Sequence, residues 1–495
     1  MERRLILAIL LSLGFLFLWQ YVFYKPQIEK DISQPINKKE VEKKLPENLF
    51  SFVPLNVETK YLRIIFNKHT AAIREVYLKE PHKEDFILLC KEDKDIFGHQ
   101  LNDGYYYNKA ETFKQNNTLV VRFESKEKNI RCSYYIDDNK PYFVDVEINR
   151  NSSESIKVFF EGYIHSDEDI KEPNIGYICK TQPTASKEVL VVEKINKGKF
   201  YKQDKLKWVA LSSRYFISTV IFENNYLEEI EINKVDKNKK RLLVVTSPTA
   251  NYKIKLFLGP KKISLLKTAA EKLIHTVDWG TFAFLSKLFY NILTYFYRLF
   301  GNYGLAIIGL TIILQIFTFP LTYNSIKATI KMKHIQPQIQ FLQKIYKDDP
   351  KRLNMEIMNL YREKKVNPFG GCLPLLLQIP IFWALFTMLR NTYDLRGASF
   401  ILWIKDLSKP DKLFIPGVNF GIPVLVLLMG ISMIVQQILS GSFSDPQQRT
   451  ISIMMPVIFV FLFFSFPSGL VLYWFINNLF SIAIQLLVVR TTTRV

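Results

Sequence analysis

The chain has 495 residues, 48% of them hydrophobic, 23% charged and 14% aromatic, with a formal net charge of +20. Four cysteines without a CxxC pair and six scattered histidines argue against a disulfide framework and against a metal centre, and no cofactor is expected. The mean hydropathy of +0.04 averages over a sharp split. Residues 25–275 read as ordinary soluble protein, whereas 303–489 are dominated by apolar runs. The excess of Lys and Arg suits a membrane surface, acidic lipid or RNA, although no specific nucleic acid is expected.

The opening "MERRLILAILLSLGFLFLWQYVFYKP" places Arg3 and Arg4 before about nineteen mostly apolar residues. That run is long for a secretory signal, and no A-x-A pattern follows it. Residues 1–24 are therefore expected to be an uncleaved anchor, with Trp19, Tyr21 and Phe23 as an aromatic belt at its outer end. Arg3 and Arg4 hold its start in the cytoplasm, so the following region lies outside. Residues 25–50, rich in Lys and Glu with scattered Pro, read as a tether.

From 51 to 275, short stretches such as "YLRIIF", "TLVVRFES", "YFVDVEI" and "YKIKLFLG" alternate with polar turn clusters. This spacing predicts a large antiparallel β-sandwich. It contains no nucleophile motif, phosphate loop or metal spacing, and its many acidic residues are expected on solvated strand faces, so no enzyme activity is expected. Residues 276–302 mix apolar and aromatic residues with Lys287 and Arg298. An interfacial amphipathic helix fits best; a helix packed on the β domain is the alternative.

Five further apolar segments lie near 303–323, 370–389, 419–439, 452–466 and 468–489. With the anchor they make six expected spans and return the C-terminus to the cytoplasm. The segment "SIMMPVIFVFLFFSF" contains Pro456 and is short, either thinning the bilayer or marking an offset boundary. Residues 325–368 carry ten Lys/Arg against four Asp/Glu, as a cytoplasmic loop should; 390–418, expected outside, carries five Lys/Arg. Within the cytoplasmic loop, Ile326, Ile330, Ile335, Ile339, Leu342 and Ile345 recur at helical spacing. Asp348 or Asp349 can cap a second helix, with Pro350 in its first turn and Leu353, Ile357 and Leu360 on one face. An αα-hairpin with basic outer faces is predicted.

Polar residues recur inside the apolar segments. Thr311, Gln315, Thr318 and Thr322 share one helix face, as do Tyr473, Asn477, Ser481 and Gln485, with Asn478 alongside. Gln378, Gln436 and Gln437 add amides on other segments. Stripes on separate spans predict a shared wet groove; the alternative is interhelical hydrogen bonding alone. The absence of ionisable residues at the span centres argues against a proton-coupled pump.

"GNYGLAIIGLTIILQIFTFPLT", "KVNPFGGCLPLLLQIPIFWALF", "LWIKDLS" and "MMPVIFVFLFFSFPSGLVLYWFINNL" closely resemble the YidC membrane-protein insertase family. The resemblance covers most of 301–490, and the exported region matches the large periplasmic domain of Gram-negative-type members in position and size. It implies a multi-pass α-helical inner-membrane protein with a five-helix insertase core at 303–490, a cytoplasmic tail at 491–495 and an all-β periplasmic sandwich. It further implies a chaperone that takes nascent membrane proteins from the cytoplasm and releases them into lipid, alone or beside the Sec translocon, without a nucleotide. The substrate groove is assigned to Thr311, Gln315, Thr318, Gln378, Tyr473, Trp474, Asn477 and Asn478. In the family the position of Gln315 is usually an arginine, and that of Trp474 commonly a tyrosine. The short tail after Arg490 implies weak ribosome docking. A channel or small-solute transporter, and a membrane-anchored sugar-binding or enzyme module, are the competing functions.

Overall fold

The structure, a computed structural model, describes residues 52–80, 86–91, 95–100, 107–127, 129–150, 157–162, 175–183, 188–194, 200–202, 205–222, 227–234, 240–246, 251–364, 366, 373–414, 421–440 and 446–492. The expected anchor, the tether and the stretch 367–372 lie outside the described residues, as do the last three residues of the expected tail.

Two antiparallel sheets build the N-terminal half. In one, Pro54–Glu58, Leu62–Asn67, Ile73–Lys79, Phe97–Gln100, Lys157–Gly162, Lys240–Thr246, Leu227–Lys234 and Phe200–Lys202 follow in spatial order, with Phe86–Lys91 also paired to Ile73–Lys79. In the other the order is Glu188–Lys194, Ile175–Pro183, Lys205–Ser212, Phe216–Phe222, Asn251–Pro260, Phe143–Arg150, Ile130–Asp137, Thr118–Ser125 and Lys109–Gln115. Alternation decides which face is buried. Leu62, Ile64 and Phe66 point inward from one sheet; Val144, Val146 and Ile148 do so from the other. The sheets meet through the rings of Phe66 and Tyr134, 4.8 Å apart, and the Tyr134 hydroxyl donates to the Ala71 carbonyl at 2.6 Å. The Asn116–Asn117 turn links its flanking strands, with Asn116 at φ 55°. Cys90, Cys132 and Cys179 are buried, and no disulfide joins them to one another among the described residues.

The domain closes with α1 (Ile263–Ala269), whose Leu266 and Ala269 are buried, and a short 3-10 turn at Leu273–Thr276. Helix α2 (Ala283–Phe300) then lies against the C-terminal helices, burying Ser286, Phe289 and Leu293. Its Ser286 hydroxyl donates to the Ala384 carbonyl at 3.1 Å. Phe284, Leu288, Tyr295 and Leu299 are exposed, so the helix has one face on the helical half and an open apolar flank. Gly301, at φ 65°, ends α2, a left-handed conformation that favours glycine.

Asn302 starts α3 (Tyr303–Ile345), accepting from the Gly304 and Leu305 amides. There follow α4 (Pro350–Glu363), α5 (Leu373–Asn391), α6 (Val424–Ser440), α7 (Pro446–Phe463) and α8 (Ser468–Thr492). A helix thus occupies each of the five apolar segments. Among the described residues, α3 and the Ser468–Arg490 part of α8 are long and apolar enough to cross a membrane; Val424–Ser440 and Ser452–Phe463 are apolar but shorter. The span near 303–323 and the first arm of the hairpin form one helix of 43 residues, with Pro320 and Pro337 inside it. At 1.5 Å per residue it is about 65 Å long, roughly twice a hydrocarbon core. Asp349 caps α4 by accepting from the Arg352 amide at 3.1 Å, and Pro350 occupies its first turn, as the sequence implies.

A junction ties the β domain to the loop after α5. The Glu80 carboxylate forms an ion pair with Arg396 and accepts from the Tyr393 hydroxyl at 2.8 Å. Arg396 lies 5.0 Å from the centroid of the Phe216 ring, and the Tyr215 hydroxyl donates to the Arg390 carbonyl at 2.9 Å.

Candidate substrate groove

Helix α8 is the hub. It lies against α3, α5 and α6, and one polar contact reaches each. Gln315, about 18 Å along α3 from its first residue, donates from Nε2 to Asn477 Oδ1 and also, at 3.4 Å, to the Asn477 carbonyl. Gln378 of α5 donates to the Tyr473 hydroxyl at 2.6 Å. Asn478 donates to Ser432 Oγ of α6 at 3.1 Å. Tyr473 and Asn477 stand one turn apart on the same face; Asn478, one residue on, turns toward a different neighbour.

The hydroxyls behave differently. Thr311 donates to the Ile307 carbonyl at 2.7 Å, Thr318 to that of Leu314 at 2.9 Å, Thr322 to that of Thr318 at 3.1 Å and Ser481 to that of Asn477 at 3.0 Å. Each satisfies itself on its own helix and asks nothing of a neighbour. On the α3 stripe, Gln315 alone has a side-chain bond to another helix among the described contacts. Trp474 sits elsewhere, in an aromatic cluster 5.4 Å from Phe382, 5.4 Å from Phe459 and 5.3 Å from Phe463. The amides of Gln315 and Asn477 are therefore together, Gln378 and Tyr473 together, and Trp474 seals α5 to α7 and α8.

Burial sets the energetics. Gln315 is 7% exposed, Tyr473 1% and Asn478 4%. A buried amide without partners costs on the order of 1–3 kcal/mol per lost group, so the paired donors are satisfied where water is scarce. One atom is not: Gln315 Oε1 is buried and accepts no hydrogen bond among the described residues. No Asp, Glu, Lys, Arg or His occurs in 303–323, 373–389, 424–440, 452–466 or 468–489, so these contacts sit in an uncharged lining.

At the end nearest the β domain, the loop 396–413 is a clasp that ties the starts of α3, α6 and α8 together. Asn302 Nδ2 donates to the Phe400 carbonyl at 3.2 Å, tying the start of α3. A side chain at Gly304 would collide with the Phe400 ring, so the loop and α3 meet at glycine contact distance. The Ser468 hydroxyl donates to the Asp406 carbonyl at 3.0 Å and the Ser468 amide to the Lys409 carbonyl at 2.8 Å, tying the start of α8. Asp411 accepts from the Trp403 indole at 2.7 Å and from the Leu425 amide, capping α6. Beside the clasp, burial pushes the Asp394 carboxyl up from its ordinary range; the Tyr290 hydroxyl, donating at 2.9 Å, offsets part of that.

Sequence reasoning did not single out Ser432, Asp411 or Arg396. Ser432 is one small residue in an apolar run, and Asp411 caps an amide fourteen residues away rather than at local N-cap spacing.

Comparison with known proteins gives a consistent result. Residues 55–292 match the family model of the YidC periplasmic domain, and 295–494 that of the 60Kd inner membrane protein. A membrane protein insertase YidC from Endomicrobium trichonymphae is 34% identical, covering 99% of this chain and 98% of its own. One from Geotalea uraniireducens is 30% identical, covering 98% of each. A crystal structure of an active YidC insertase aligns over 88% of this chain and 92% of its own, at 20% identity and a TM-score of 0.45.

Proposed function

Since the chain belongs to the YidC family of membrane protein insertases, we propose that it passes the hydrophilic tails of its substrates along the Gln315–Asn477 and Gln378–Tyr473 contacts. The chain is an insertase of the inner membrane with a periplasmic domain. Six crossings, with both termini cytoplasmic and the α3–α4 hairpin on the cytoplasmic side, suit its apolar segments and the basic loop. The partners are nascent membrane proteins and the surrounding lipid, with the Sec translocon as a companion for longer substrates and the ribosome only weakly engaged.

The mechanism is physical and needs no bond chemistry. A charged residue at the bilayer centre costs about 2.5–3.5 kcal/mol on insertion scales. A polar face through half the bilayer shortens the apolar distance a tail must cross. The clasp at the β-domain end keeps that face from becoming a pore. Each Leu, Ile, Phe or Val of the substrate's own span returns about 0.3–0.6 kcal/mol on entering lipid, so one span outweighs a few polar residues. The single observation that carries this reading is the contact of the buried Gln315 amide with the half-buried Asn477 side chain, inside apolar segments that hold no charge.

The test is reconstitution of the full chain in liposomes with a single-span substrate added from outside. Protection of the translocated tail from added protease, above the level in protein-free liposomes, is the expected result. Equal protection in both would overturn the reading, and steady ion conductance without substrate would favour a channel.

A further inference from the structure

Gln315 has a directional asymmetry. Both atoms near its Nε2, Asn477 Oδ1 and the Asn477 carbonyl oxygen, lie where an N–H donor is required. The backbone carbonyl cannot exchange roles, so it fixes the orientation of the amide. The acceptor Oε1 is thereby turned away from Asn477, in a residue 93% buried, and takes no hydrogen bond in the described structure. A carbonyl oxygen in this position is costly unless something donates to it. The apolar segments around it offer no cation: none of 303–323, 373–389, 424–440, 452–466 and 468–489 contains Lys, Arg or His, and none contains an acid.

Building on the insertase reading above, we infer that Gln315 Oε1 is a specificity-determining acceptor for the passing tail. Its ligand is a neutral hydrogen-bond donor: the backbone N–H of an extended hydrophilic segment, the side-chain N–H of Asn or Gln, or the O–H of Ser or Thr. Such a site recognises what every tail carries and exerts no charge attraction. Tail acidity then confers no advantage, because nothing in the lining forms an ion pair with a carboxylate. Adding one cation here should convert an indifferent groove into one that sorts tails by charge, because a cation attracts a carboxylate that the neutral amide does not.

The experiment uses the full chain in liposomes and one single-span substrate in two versions, with a neutral tail or with two acidic residues in it. Wild type is compared with Gln315→Arg, which adds charge, and with Gln315→Met, which keeps length and drops the amide. Wild type is expected to insert the two versions at rates within about threefold of one another, Gln315→Arg to favour the acidic tail by about tenfold, and Gln315→Met to slow both by about tenfold, where tenfold corresponds to about 1.4 kcal/mol in a barrier. Should Gln315→Met fail to fold, the wild-type charge ratio and the Gln315→Arg ratio decide by themselves. A wild type that already favours the acidic tail tenfold overturns the inference while leaving the insertase reading intact. A Gln315→Met variant that is folded and as fast as wild type also overturns it. Insertion of neither tail by wild type overturns both.

Discussion

The β-domain junction and the helical core both bury polar groups, and they do so in opposite ways. At the junction a full ion pair is enclosed: Glu80 is 6% exposed, and its charge is met by Arg396 and by the Tyr393 hydroxyl. In the core, neutral amides meet neutral partners, and one acceptor is left open. A buried charge must be answered completely, because an unpaired one costs several kcal/mol. A buried amide tolerates partial satisfaction at a lower cost. The junction is therefore built to stay, whereas the core contacts cost less to break, as the proposed passage of a substrate tail requires.

The largest effect should come from breaking the junction. Arg396→Met leaves Glu80 buried without its cation, and about 3–5 kcal/mol of stability should be lost; denaturant unfolding of the full chain in detergent measures it. A loss under 1 kcal/mol would mean that Glu80 finds water and that the junction is looser than described.

Acid should next separate the two regions. His99 is enclosed in the β domain, its ring 2.6 Å from the Tyr107 hydroxyl, and burial lowers its pKa to about 3. The unfolded chain takes that proton first, near pH 6.5, so stability is intact above pH 6.5 and is lost as pH falls from 6.5 toward 3. Between pH 6.5 and 5 the β domain should lose about 2 kcal/mol, at about 1.4 kcal/mol per unit. Urea melts followed near Trp208 should show this slope, and His99→Gln should flatten it. The helical core, followed near Trp474, should show no such loss: its apolar segments hold no acid or base, and Asp394, whose carboxyl burial raises, adds stability rather than removing it as pH falls.

Smaller effects test the clasp and the core contacts. Asp411→Ala removes the acceptor for Trp403 and Leu425 and should cost about 1 kcal/mol, the usual worth of a helix cap, seen as faster amide exchange at the start of α6. Tyr473→Phe removes the partner of Gln378. Interhelical hydrogen bonds in membranes average about 0.6 kcal/mol, so thermal stability should scarcely move while insertion slows. A large stability loss with unchanged insertion would make the contact a structural bond, and the contrast between junction and core would fail.

Much of this architecture is legible from local pattern. "YFVDVEI" alternates, and Val144, Val146 and Ile148 are buried as alternation requires. Asp349 and Pro350 start α4 because capping is a matter of adjacent residues. The hairpin boundary is not legible: Pro320 and the polar Tyr323–Asn324–Ser325 suggest an end to the span, yet α3 runs through them. A proline removes one helical hydrogen bond and need not stop a helix that neighbouring helices support. The groove is half legible. The period of 3.6 puts Gln315 and the threonines on one face, but periodicity cannot tell a threonine bonded to its own helix from an amide that reaches another. Arg396 and Glu80 are 316 residues apart, and nothing short of the fold brings them together.

The most direct measurement is photo-crosslinking from the polar stripe to a substrate held during insertion. A benzophenone side chain replacing Thr318, one turn along α3 from Gln315 and partly exposed, would be compared with one replacing Trp474 in the aromatic cluster. The account predicts that position 318 captures the hydrophilic tail and that position 474 does not. Capture from 474 with none from 318 would place the path elsewhere and contradict the role given to the Gln315–Asn477 face.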